Sequence, residues 1–250
     1  MSVQNSINVV RILRTAMFLA TVPPPKFNLN SWADHEGPID AADQVKLGLT
    51  TLQQGARCTI KPTADQLAHT CGTTACALGY AGSIPENVKE GLQLFTSASR
   101  SSFWPIHSPE FGKSWVEFHT HLPSGRKVVY KDFSAGVKFF GITFSECFEL
   151  FDPDKYSDPE QPKRSDYSTD YQGESDFKEA LYDFKCRSYD TNGGNWTPSP
   201  IDVVKKFETL LRKYGKKAEA DKLAKCPRFT EIRWANQFGH GVKYELRAPK

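Results

Sequence analysis

Apolar residues recur every three to four positions over residues 6–20, where Val9, Ile12, Leu13, Ala16, Met17, Leu19 and Ala20 form one stripe. Arg11, Arg14 and Thr15 are left for water, so the period predicts an amphipathic helix. Pro23-Pro24-Pro25 ends it, because proline has no N–H to donate and restricts the residue before it. The following Phe-Asn-Leu-Asn-Ser-Trp reads as an extended anchor, with Phe27, Leu29 and Trp32 available to a core. A short helix is expected within 41–54 and another over 73–80. Residues 85–95 are helix-compatible, and 96–112, rich in Ser and Pro, read as a loop.

The clearest strand signal is 114–131, where two runs of β-formers flank a Leu-Pro-Ser-Gly turn. Residues 132–153 read as helix, glycine turn, helix, with Thr143 as N-cap and Glu146 completing a capping box. Phe144, Phe148 and Phe151 follow helical spacing and are expected in the core. Residues 152–175 carry almost no aliphatic side chain and suggest a surface insertion, followed by a helix over 176–187. Ser199-Pro200-Ile201-Asp202 marks a helix start, and Gly215 its end. A second basic helix reaches Lys225, and the tail alternates around Gly239-His240-Gly241 as a second hairpin. The expectation is a single α+β domain over 1–250, mainly helical, with one or two β-hairpins.

Length and composition permit such a core: 250 residues, 39% hydrophobic and 12% aromatic. Lys and Arg number 32 against 29 Asp and Glu, a balance that leaves no nucleic-acid footprint at the level of the whole chain. The N-terminal apolar run resembles an export signal in outline, but no Lys or Arg precedes it, and Arg11 and Arg14 interrupt it. A cytoplasmic protein with reduced cysteines and no membrane contact is therefore expected.

Two constellations could carry chemistry. Cys71 and Cys76 stand five apart, His69 precedes them, and a helix start nearby would favour thiolate. The Cys-Gly pair resembles the nucleophile segment of papain-like proteases, without its upstream glutamine or following aromatic. The competing reading is packing around a structural motif of Cys71, Gly72, Thr73, Cys76 and Gly79: Gly72, Ala75, Cys76, Ala77, Gly79, Ala81 and Gly82 leave a helix nearly without bulk, with cysteine serving as a small hydrophobe. On the first hairpin strand, Trp115, Glu117, His119 and His121 share one face. Glu117, His119 and His121 could hold a metal ion, although a half-buried hairpin shows the same alternation. A helix-turn-helix reading of 134–151 fails, because the second helix offers no side chain for base edges or phosphates. The basic stretch 205–225 offers a polyanion contact as the minority reading of a solvated helix face.

The VPPPKFNLNSW segment, the CGTTACALG segment and FFGITFSECFELF together resemble small uncharacterised proteins of bacteria and their phages. That resemblance implies an intracellular or phage origin and a shared core in which the three segments pack together. It transfers no catalytic residue. Taken together, the sequence points to a non-enzymatic accessory protein, phage-encoded on the resemblance, that binds a host or phage macromolecule, with another protein as the expected partner and no cofactor. The alternatives are a thiol-dependent hydrolase or transferase using Cys76 or Cys71, and a metal-dependent enzyme through Glu117, His119 and His121.

Overall fold

The computed structural model describes residues 7–28, 32–35, 39–69, 73–100, 109–152, 198–236 and 239–248, with isolated helical positions at 172, 174, 175 and 178. The expected insertion at 152–175 and the expected helix at 176–187 lie almost wholly outside these residues. The chain begins with α1 (Val9–Ala20), β1 (Asp34–His35), α2 (Ala41–Lys46), β2 (Arg57–Ile60), α3 (Ala64–His69) and β3 (Thr73–Thr74). It continues through α4 (Ala77–Ala81), α5 (Pro85–Lys89), β4 (Leu92–Ser99), β5 (Glu110–His121), β6 (Lys127–Lys131), α6 (Asp132–Phe140) and α7 (Phe144–Phe151). The C-terminal part holds α8 (Pro200–Lys213), α9 (Lys217–Ala224), β7 (Arg228–Asn236) and β8 (Gly239–Arg247), and the architecture is α+β.

Asn8 caps α1, its side chain accepting the Arg11 N–H at 3.2 Å. The helix buries Ile12, Thr15, Ala16, Leu19 and Ala20, while Val10 and Met17 are exposed. The polar residues expected to face water do not do so. Arg11 Nε meets Glu90 at 2.5 Å and its Nη1 donates to the Phe139 carbonyl at 2.8 Å, with the guanidinium 4.3 Å from the Phe139 ring centre. Arg14 Nη1 reaches both Glu90 and Asn87 at 2.8 Å, and buried Asn87 donates to the Thr15 hydroxyl at 3.2 Å. A charge-paired strip thus joins α1 to α5, because partners 70 or more residues away complete these groups.

The prolines enter one 3-10 turn (Pro24–Lys26) that leads into Phe27, which bridges Ala75 and is 5% exposed. The Tyr80 hydroxyl donates to the Lys26 carbonyl at 2.7 Å. The helix expected over 73–80 starts later: Thr73 and Thr74 pair with His35 and Asp34, and α4 begins only at Ala77. Consecutive β-branched threonines favour the extended form that this pairing satisfies.

A four-stranded antiparallel sheet, in the order β2-β4-β5-β6, contains the expected 114–131 hairpin as its β5-β6 half. Strand β4 corrects the expected helix at 85–95 and the loop at 96–112, since only 85–89 is helical and 92–99 is strand. Its alternate residues Leu92, Leu94, Thr96 and Ala98 are buried, and Val116 and Phe118 of β5 share that face. The buried Thr96 and Ser114 hydroxyls meet at 3.1 Å, and Ser114 donates to the Ala33 carbonyl at 2.7 Å. Strand β6 runs straight into α6 through Asp132, which has φ +50° and accepts the Val116 N–H at 3.3 Å, supplying the bond that the ended strand no longer offers.

The buried face of the sheet packs against α4 and α6, and the apolar cluster extends through α1, α7, α8 and α9. The expected capping box of Thr143 with Glu146 forms, and at the expected helix start Ser199 forms a second one with Asp202. Phe140, Phe151 and Phe207 meet at ring distances of 5.8–6.0 Å. Phe144 does not join them; at the first turn of α7 it is 51% exposed and rests on Phe148 at 5.0 Å. A smaller cluster of Ile39, Leu47, Leu49, Leu52 and Ala98 lies beside β2. The C-terminal hairpin is present, but Gly239, His240 and Gly241 pair with Asn236, Ala235 and Trp234, so they lie within β8 rather than at a turn.

Candidate binding face

Cys76 is 1% exposed and caps α4, its sulfur accepting the Gly79 N–H at 3.3 Å. Burial pushes its thiol up to about 12, outweighing the backbone N–H groups that favour thiolate. A nucleophilic cysteine needs the opposite balance. Gly79, next along the helix, lies against the Trp32 backbone, and Gly82 against that of Leu94, where a Cβ would approach the Leu94 nitrogen to 2.8 Å. These contacts explain the small residues of this segment. Cys71 and Gly72 lie outside the described residues; Thr73 sits in β3, and His69 ends α3.

Glu117 and His119 do come together, with Nε2 2.9 Å from the carboxylate. The carboxylate is further engaged by the Trp115 indole N–H at 3.1 Å and Lys131 at 3.4 Å. Burial acts to raise this carboxyl, but His119, Trp115 and Lys131 together hold it below its usual value. His121 stands exposed at the strand end, opposite Lys127. Among the described residues, no three His, Cys, Asp or Glu side chains group as a metal site, and a carboxylate already shared by three donors has little left for a cation.

The basic stretch 205–225 is neutralised in its first half. Arg212 pairs with Glu208 and Asp221 at 2.9 and 2.7 Å, Lys205 with Asp202 at 3.6 Å, and Lys213 with Glu146 at 2.6 Å. A groove of about 280 Å³ between α7 and α8 has Leu150 and Leu210 at its base. Its flanking charges are these same pairs, Lys213 with Glu146 and Lys206 with Glu149, so it reads as a packed seam.

The residue missed in the sequence is Phe95. The register sets Phe95 directly opposite Trp115, and their rings stack at 5.5 Å with an 8° interplanar angle. Gln93 lies opposite Glu117 on the same face, and Val129 opposite His119. Lys61 places its ammonium 4.9 Å from the Phe95 ring. The alternation Leu-Gln-Leu-Phe-Thr-Ser-Ala-Ser carried the strand signal, but only pairing with β5 shows what Phe95 faces. The outer sheet face therefore has a half-buried aromatic pair at its centre, an ordered Glu117–His119–Lys131 group beside it, and exposed cations around it.

No protein-family model matches the chain, and no curated protein or solved structure matches it. Among the described residues, no helix is long and apolar enough to cross a membrane.

Proposed function

We propose that this protein acts by binding, and that the outer face of the β2-β4-β5-β6 sheet is its recognition surface. The observation that carries this reading is the Phe95–Trp115 stack on the side of the sheet opposite the core. Antiparallel sheets commonly leave one face to water, and that face is ordinarily polar. Here it holds the largest side chains of β4 and β5, with Trp115 oriented by a hydrogen bond to Glu117. Large aromatic rings fixed at a surface are the side chains that most often anchor a partner.

The test places a photo-cross-linking amino acid at Val129, which is 40% exposed on this face, and at Lys217 on α9 as a control. The full chain is expressed in bacterial cells and irradiated. Adducts to another macromolecule should concentrate at position 129 and disappear when Phe95 and Trp115 are both changed to Ser. Equal yields at the two positions, or yields at 129 indifferent to the aromatic pair, would overturn the reading.

A further inference from the structure

We infer that this face takes a single-stranded polynucleotide, an assignment that rests on the binding-face reading above and names its partner. A single strand offers two kinds of group at once: flat apolar bases and a regular line of phosphates. Proteins that hold such strands with little sequence preference combine aromatic stacking platforms with a positively charged track.

The stacking platform is present. Trp115 stacks on Phe95 with one face. On its other side no β6 residue stands opposite it, because the pairing of β6 ends at Lys131, opposite Glu117. The indole N–H, which would otherwise need a partner from the ligand, already donates to Glu117. Trp115 is thus held in orientation with its polar edge satisfied, and it is half-buried, so part of the indole stays open to solvent. Strand β5 is bulged here: Thr96 pairs with Ser114 but Ala98 with Phe111. At the bulge a Cβ on Gly112 would meet the Ser97 hydroxyl at 2.6 Å, a contact that rotation of the serine side chain could relieve.

The charged track is present as well. Arg57, Lys61, Lys113, Lys127 and Lys131 are all exposed on or at the edge of this face, distributed over β2, β5 and β6 around the aromatic pair. Glu110 and Glu117 are the carboxylates that the register places on the same face, and Glu117 is already paired with Lys131. That leaves about four cations for phosphates. The near-neutral balance of the whole chain conceals this, because Lys205, Arg212 and Lys213 of α8 are each matched by an acid, while among the described residues only Lys131 of the sheet-face cations is paired with a carboxylate. A protein partner fits less well: the centre of such an interface is depleted of charge, whereas here carboxylate, imidazole and ammonium adjoin the rings. A duplex also fits less well, since it hides the base faces that a ring can stack on. Four strands at about 4.8 Å spacing give room for roughly two or three nucleotides.

The experiment measures anisotropy of labelled ten-nucleotide oligo-dT and oligo-U with the full chain, against a duplex of equal length and a sulfated polysaccharide that has charge but no bases. Single strands should bind more tightly than both controls; the dT and U arms distinguish DNA from RNA. Trp115→Leu and Phe95→Leu, which keep apolar bulk without a stacking face, should each weaken binding about tenfold with an unchanged melting temperature. Four phosphate contacts predict roughly a 50-fold loss between 50 and 200 mM salt, and Lys127→Gln should reduce that salt slope.

Absence of oligonucleotide binding at 50 mM salt, or binding that matches the polysaccharide and ignores Trp115→Leu, would overturn the inference. So would cross-links from position 129 to protein alone, or only within the chain itself. Cross-links to a protein partner that depend on the aromatic pair would leave the binding-face reading standing while removing the polynucleotide; loss of both signals would remove both.

Discussion

The α-carbon of Gly79 faces the backbone carbonyl oxygen of Trp32 so closely that any Cβ there would overlap it. This contact locks the segment after the prolines onto α4, and neither side can yield, since both are backbone. Gly79→Ala is expected to cost about 3 kcal/mol in urea unfolding. Gly215→Ala is the comparison: φ is +70° and no atom lies within 4 Å of where its Cβ would stand, so it should cost about 1–2 kcal/mol from backbone conformation alone. Equal losses at the two sites would show that α4 and the Trp32 backbone do not pack this closely.

Glu146 gives the protein a component of acid sensitivity. Burial acts to raise its carboxyl, but the Lys213 ammonium, the Thr143 N–H and hydroxyl, and the Tyr214 hydroxyl together hold it below its ordinary 4.5. A carboxyl lowered in the folded state stabilises fully above its unfolded value, and that contribution is lost as pH falls through the folded one. Melting temperature should therefore drop below about pH 4.5. Glu146→Gln should cost about 1–2 kcal/mol at neutral pH through the weakened capping box, and should flatten the acid limb.

The buried thiols should be inert while the chain is folded. Burial raises both Cys76 and Cys147 to about 12, and each sulfur is held in a backbone hydrogen bond at 3.3 Å. With iodoacetamide near neutral pH, peptide mass spectrometry should find Cys58, which is half-buried, labelled well before either. Cys76 and Cys147 should react only once denaturant unfolds the protein. Rapid alkylation of Cys76 in the native state would restore a thiol-dependent activity as the better reading.

Asp132 combines an unusual backbone with a specific bond. Its φ of +50° is tolerated best by Asn, Asp and Gly, and its carboxylate accepts the Val116 N–H. Asp132→Asn should cost less than about 1 kcal/mol, because the amide oxygen can accept the same bond. Asp132→Ala should cost about 2 kcal/mol, from the strained backbone together with an unmet N–H. Faster hydrogen exchange at the Val116 amide in the alanine variant alone would confirm the cause.

Much of the local structure was legible in the chain. The caps at Thr143 and Ser199, the prolines after α1, and the 114–131 hairpin each depend on residues within a few positions of one another. Where local pattern misled, a distant partner decided. Arg11 and Arg14 look like solvent residues until Glu90 and Phe139 arrive from far along the chain. Thr73 and Thr74 look like a helix start until His35 and Asp34 pair with them. Residues 92–99 suit helix or strand locally, and pairing with β2 and β5 settles the choice.

The candidate site divides in the same way. Sequence alone determined that Trp115, Glu117 and His119 share a face, because side chains alternate along any strand. It also determined which segments are apolar enough to be buried. Only the tertiary structure decided that Phe95 stands beside Trp115, that Cys76 is a helix cap sealed from water, and that the basic C-terminal helices carry their own acids. Register and burial arise from contacts between elements far apart in the chain, and no local pattern encodes which of two compatible partners a residue will meet.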